Sequence, residues 1–158
     1  MLLILLRHAK SDWSGTAPDA GRPLSKRGLR EAPQAGQWLA RWVANIDLAV
    51  VSSANRTRKT WELASAELET PPPVSIDDRL YDASASQLLG VVRAVLDDVH
   101  VVVLVGHNPG IEDLVSLLTG EPIPMRTSGL AVIELKGTWS SAGQSRGTLL
   151  ASGRPPVQ

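Results

Sequence analysis

The apolar run Met1–Leu6 breaks off at Arg7 and His8, with Lys10 and Ser11 close behind. A guanidinium beside an imidazole, delivered at the end of a buried strand, can hold an anion and attack it through a ring nitrogen. Similar polar groups follow later apolar runs. "SSANRTRKT" brings Ser52, Ser53, Asn55, Arg56, Arg58 and Lys59; "DDRLYD" brings Asp77, Asp78 and Asp82; "GHNPG" brings His107 and Asn108. Taken singly, Arg7 reads as a surface ion pair, Arg56 as a solvated helix residue, and His8 or His107 as a hydrogen-bonded histidine. Gathered on one rim, such cations repel one another unless an anion sits among them. Arg56, Arg58 and Lys59 also crowd a helix start, where the dipole disfavours each cation by roughly 0.3–1 kcal/mol. A dianionic phosphate is the natural compensating charge. His8, His107 and Asp78 could instead be metal ligands, but the neighbouring arginine opposes a divalent ion, so no metal is expected. His100, at the far end of its strand, reads as structural.

The elements that would position these residues follow from apolar patterning. Strands are expected at Leu2–Leu6, Leu48–Val51, Val74–Ile76, Val101–Val105 and Leu130–Leu135, three of them continuously apolar as in sheets covered on both faces. Helical spacing predicts Ser25–Val43, with Leu29, Ala32, Leu39 and Val43 inward and either a kink or a late start at Pro33. Further helices are expected at Asn55–Leu68, at Ser84–Val99 capped by Ser84 or Ser86, and at Asn108–Thr119 closed by Gly120. Strand and helix alternate, so the fold class is α/β with a layered sheet. Ligands of such sheets collect outside the carboxyl ends of the strands, where the polar groups fall. "GTWSSAGQSRG" reads as a polar hairpin loop. The chain is expected to be one domain, 1–152, with 153–158 as a flexible tail.

Composition narrows the function classes. The 158 residues include 16 basic and 16 acidic side chains, 43% hydrophobic residues and no cysteine. That length supports one core without crosslinks. Zero net charge gives no basic field for nucleic acid, and Arg7 interrupts the N-terminal apolar run far short of a membrane span. Neither a nucleic-acid nor a membrane partner is expected, and the cytoplasm is the default location. Without cysteine there is no thiolate nucleophile, thiolate metal site or disulfide. Trp38, Trp42 and Trp61 fit helix core faces.

Four blocks in order, "LLRHAKSDW", "RPLSKRG", "SSANRTRKT" and "VLVGHNPG", resemble the histidine phosphatase superfamily, the phosphoglycerate mutase-like proteins. The resemblance runs to about Gly110 and more weakly to Leu130. Ala-Lys-Ser after His8, the Arg-Pro-Leu block and the short length are similar to the SixA-type phosphohistidine phosphatases. It implies a three-layer α/β/α sandwich with a mostly parallel sheet. It also implies His8 as the phosphorylated residue, with Arg7, Arg56 and His107 completing the phosphate pocket. Many members place a glutamate before an Arg-x-Tyr-Gly stretch; here Asp78 stands at that position, as candidate general acid, and Asp82 replaces the glycine. Asn108 and Ser14 are further candidate phosphate contacts. The implied reaction needs no cofactor: neutral His8 attacks phosphorus while its other nitrogen donates to a backbone carbonyl, and water hydrolyses the phosphoenzyme. The expected partner is a phosphohistidine-bearing protein or a small phosphorylated substrate. A binding module without catalysis and a mutase are weaker readings.

Overall fold

The computed structural model describes residues 1–154 and the backbone of 156–157. Its strands are β1 (Leu2–Arg7), β2 (Leu48–Ser52), β3 (Val74–Asp77), β4 (Val101–Gly106), β5 (Leu130–Glu134), β6 (Thr148–Gly153) and β7 (Pro156–Val157). They form one sheet in the order β3-β2-β4-β1-β5-β6-β7, parallel from β3 to β1 and antiparallel beyond. The α-helices are α1 (Lys26–Trp42), α2 (Asn55–Ser65), α3 (Ala85–Arg93) and α4 (Gly110–Thr119).

Successive side chains of β1 enter opposite cores. Leu3 and Leu5 pack with Leu88, Ile111 and Leu114 of α3 and α4, whereas Ile4 and Leu6 pack with Leu39 of α1 and Trp61 of α2. The molecule is therefore a three-layer α/β/α sandwich, which is why the central strands read as unbroken apolar runs. The right-handed crossover rule accounts for which helix lies where. From β1 to β2 to β3 the chain moves toward one edge, leaving α1 and α2 on one face; the return from β3 to β4 puts α3 on the other. Neighbouring β1 and β4 consequently send their following helices to opposite faces, opening a crevice at their carboxyl ends.

Several local expectations change. α1 starts at its cap, Ser25, whose Oγ accepts from the Gly28 amide at 3.1 Å, and continues through Pro33 rather than beginning after it. Its inward face is built of small residues, Gly28, Ala32, Ala35 and Gly36, with Leu39; Leu29 is exposed. Trp42 is 53% exposed and lies outside the core, with the Arg41 guanidinium over its ring. α3 is capped by Ser84 and ends at Arg93 rather than Val99, because Ala94 and Val95 close on tighter bonds to Val91 and Val92. Asp97 and Asp98 beyond would oppose the dipole of a longer helix. The polar loop after Lys136 leads into β6, a strand absent from the sequence-based set. Of the expected tail 153–158, Gly153 ends β6 and Pro156–Val157 pairs back on it. Pro155 and Gln158 lie outside the described residues.

Candidate active site

β1 ends on Arg7, β4 on Gly106 and β2 on Ser52; His8, His107 and the start of α2 follow these three adjacent strands directly. They converge on a cleft of about 290 Å³ lined by Arg7, His8, Arg56 and His107, with Asp19, Arg22 and Asn108 also in its wall. The His8 and His107 rings stand 5.3 Å apart between centroids.

The His8 Nδ1 lies 2.8 Å from the Ala9 carbonyl oxygen. A carbonyl only accepts, so Nδ1 carries the hydrogen and Nε2 keeps its lone pair. Burial depresses the His8 pKa to about 3, with lesser contributions from the charges of His107, Arg56 and Arg7, so the ring is neutral at pH 7. Burial likewise takes His107 to about 4, helped by Arg56. The His107 Nε2 meets the Ser52 hydroxyl at 2.8 Å, and its buried Nδ1 has no protein partner among the described residues. Buried Nε atoms of Arg7 and Arg56 are unpaired in the same sense. The Arg7 Nη1 donates to the Met125 carbonyl at 2.9 Å, fixing the arginine beside His8.

Arg56 is 7% exposed although it lies in the first turn of α2. Its Nη1 donates to the Asp19 carbonyl at 2.7 Å and its Nη2 to the Asp19 carboxylate at 3.2 Å. Asp19 also accepts from Arg22 Nε at 3.1 Å and from the Tyr81 hydroxyl. The Tyr81 hydrogen bond, with the two arginines, holds the Asp19 pKa down to about 2. Part of the compensating anion sought for the α2 cations is thus a carboxylate of this chain, and Lys59 takes another, Glu62. Arg22, 8% exposed and bonded to the Ser11 hydroxyl at 2.7 Å, joins half-buried Arg7 and buried Arg56 as the third guanidinium of the cleft wall. The order of "RPLSKRG" marked the block containing it, but neither Arg22 nor Asp19 follows a strand, so reading strand ends passed over both.

The other candidates separate. Asn108 lines the cleft, with its Nδ2 donating to Glu112 and to the Met125 carbonyl. Ser14 is exposed, bonded to Asp12, and lies outside the cleft wall. Asp78 lies in the one-turn helix Asp78–Leu80, exposed and likewise outside that wall. Asp82 does line it, with φ at +51°, in the left-handed region that glycine adopts freely and aspartate tolerates. No group of three or more His, Cys, Asp or Glu side chains suited to a metal occurs among the described residues.

Residues 3–100 match the family model described as histidine phosphatase superfamily (branch 1). An uncharacterised protein of Mycobacterium tuberculosis is 33% identical over 148 residues, 85% of this chain and 90% of its own length. A structure from Nakamurella multipartitia, assigned to phosphohistidine phosphatase SixA, superposes with a TM-score of 0.86 at 29% identity, covering 99% of this chain and 96% of that one. The protein histidine phosphatase SixA complexed with tungstate gives a TM-score of 0.83 at 24% identity over 96% of both chains, a likeness of fold.

Proposed function

This chain belongs to the histidine phosphatase superfamily, and we propose that it removes phosphate from protein phosphohistidine through a phosphorylated His8. The observation that carries this reading is His8 itself: neutral, its Nδ1–H spent on the Ala9 carbonyl, its Nε2 free beside Arg7, Arg56 and His107. Nε2 attacks phosphorus as the P–N bond of the substrate breaks. The electron pair of that bond leaves with the substrate imidazole, which departs neutral when its ring entered protonated. Water then attacks the His8 phosphoramidate, releasing inorganic phosphate and restoring the free ring. Arg7, Arg56 and His107 surround the transferring oxygens, the two guanidiniums supplying preorganised charge and the neutral His107 ring a preorganised hydrogen-bonding group.

The leaving group favours phosphohistidine over an alkyl ester. Asp19 is held ionised and so has no proton to give, and Asp78 is outside the cleft wall, although it holds the family's acid position in the sequence. Asp82 is the acidic side chain of the wall free of such a network among the described residues, and it is the better candidate for assisting poorer leaving groups. The SixA name of the Nakamurella structure supports the same substrate class. The second reading, a phosphatase for small phosphate esters, is favoured by the cleft's modest 290 Å³.

Wild type and His8→Ala compared with EDTA present, on a phosphohistidine-bearing domain and on a panel of small esters, test the reading. His8-dependent loss of protein phosphohistidine with slow ester turnover is expected. Faster ester hydrolysis moves the substrate to a small molecule, and activity retained in His8→Ala removes His8 as nucleophile.

A further inference from the structure

Resting on that reading of the cleft, we infer that the surface beside it is a docking site for an acidic segment of the phosphorylated partner protein. The cleft shares Arg7, Lys10 and Thr127 with a second hollow of about 350 Å³, whose remaining lining is Arg27, Arg126 and Arg154. Five of the six lining residues are cations and none is acidic, in a chain whose basic and acidic residues balance.

Glu31 offsets part of this charge, accepting from Arg27 Nε at 2.5 Å and standing 3.6 Å from Arg154 Nη1. Lys10 and Arg126 are exposed and have no carboxylate within 4.0 Å among the described residues. Arg154 is held in place by the Thr127 carbonyl and hydroxyl at 3.1 and 3.2 Å, and its charge is felt at Arg7. The phosphoryl group's own charge is met inside the cleft by the Arg7 and Arg56 guanidiniums, beside the neutral His107 ring. The flanking cations exceed that need, so they serve an anionic group elsewhere on the substrate.

The shape favours a polypeptide as its bearer. The basic hollow shares Arg126 and Arg154 with a third one of about 380 Å³, where Ile123, Pro124 and Met125 add an apolar wall. Three contiguous hollows starting at His8 fit an extended chain: phosphohistidine in the first, a carboxylate side chain in the second, an apolar one in the third. Complementary charge at such a rim raises association rate and selects partners, and salt weakens it.

Arg126→Glu tests this, because the exposed Arg126 side chain makes no hydrogen bond among the described residues and circular dichroism checks the variant's fold. Its KM for a phosphohistidine peptide flanked by glutamates is expected to rise roughly tenfold, with Arg126→Lys restoring it and phosphoimidazole turnover unchanged. Equal effects on both substrates, or none on the peptide, overturn the inference. So does a loss confined to a small sugar bisphosphate, which would make the hollow a small-molecule subsite. Calorimetric titration of hexaglutamate into His8→Ala separates docking from catalysis. No binding at low salt rejects the docking site even with phosphatase activity intact. Arg126-dependent binding without turnover of any phosphohistidine substrate upholds docking and rejects the catalytic reading.

Discussion

Three residues decide what His8 can do. The Ala9 carbonyl orients its ring, Arg7 stands beside it on the same strand end, and Arg56 reaches the cleft from α2 on a leash held by Asp19. If Arg56 meets the developing phosphoryl charge, Arg56→Ala should lower kcat by about 10²–10³-fold with KM changed less, the pattern of a group felt mainly in the transition state. Steady-state kinetics on a phosphohistidine substrate would show it; an effect on KM alone would reduce Arg56 to substrate binding. His8, His107 and Arg56 were legible in the sequence because the two histidines directly follow apolar strands and Arg56 lies in the first turn of the helix after a third. Asp19 and Arg22 were not, since their loop reaches the cleft only through hydrogen bonds to α2, Ser11 and Tyr81.

The helices hold these strand ends by close contact. Gly36 of α1 lies against α2, where an added Cβ would collide with the backbone carbonyl of Ala64. Gly90 of α3 has nothing within 4 Å of the same added atom. Gly36→Ala should therefore destabilise by about 1–3 kcal/mol or more, whereas Gly90→Ala should stabilise by roughly 0.5–1 kcal/mol, the ordinary gain in a helix interior. Urea unfolding of the two variants measures both, and similar midpoints would mean that α1 and α2 can separate at little cost. Hydrophobic spacing located all four helices but misassigned Leu29 and Trp42 to the core. Periodicity identifies a face, and only the neighbour decides how large the residues on that face can be. Here α2 approaches so closely that the buried stripe of α1 consists of glycine, alanine and a single leucine.

At the scale of the whole molecule, the buried histidines tie stability to pH. In the unfolded chain they take up protons from about pH 6.5 downward, whereas the folded rings stay neutral to about 4 for His107 and about 3 for His8. The unfolded state therefore binds more protons over that interval, so stability is full above about pH 6.5 and falls with acid, by at most about 1.4 kcal/mol per pH unit for each histidine. Asp19, lowered to about 2, extends the loss below its ordinary value of 3.8. Thermal melts from pH 7.5 to 4.5 should show this decline, and His8→Ala should roughly halve its slope; identical slopes would mean that His8 is protonated in the folded state. The sequence by itself determined the α/β class, the five strands from β1 to β5 and the gathering of Arg7, His8, Arg56 and His107. Those features are encoded by neighbours in the chain: apolar runs, caps, and the polar residues that end them. Only the tertiary structure decided that β4 inserts between β1 and β2, that β6 extends the sheet, that Asp82 rather than Asp78 lines the cleft, and that Arg27, Arg126 and Arg154 form one basic flank. Those facts depend on which distant segments meet, which is set by crossover handedness and packing rather than by any local pattern.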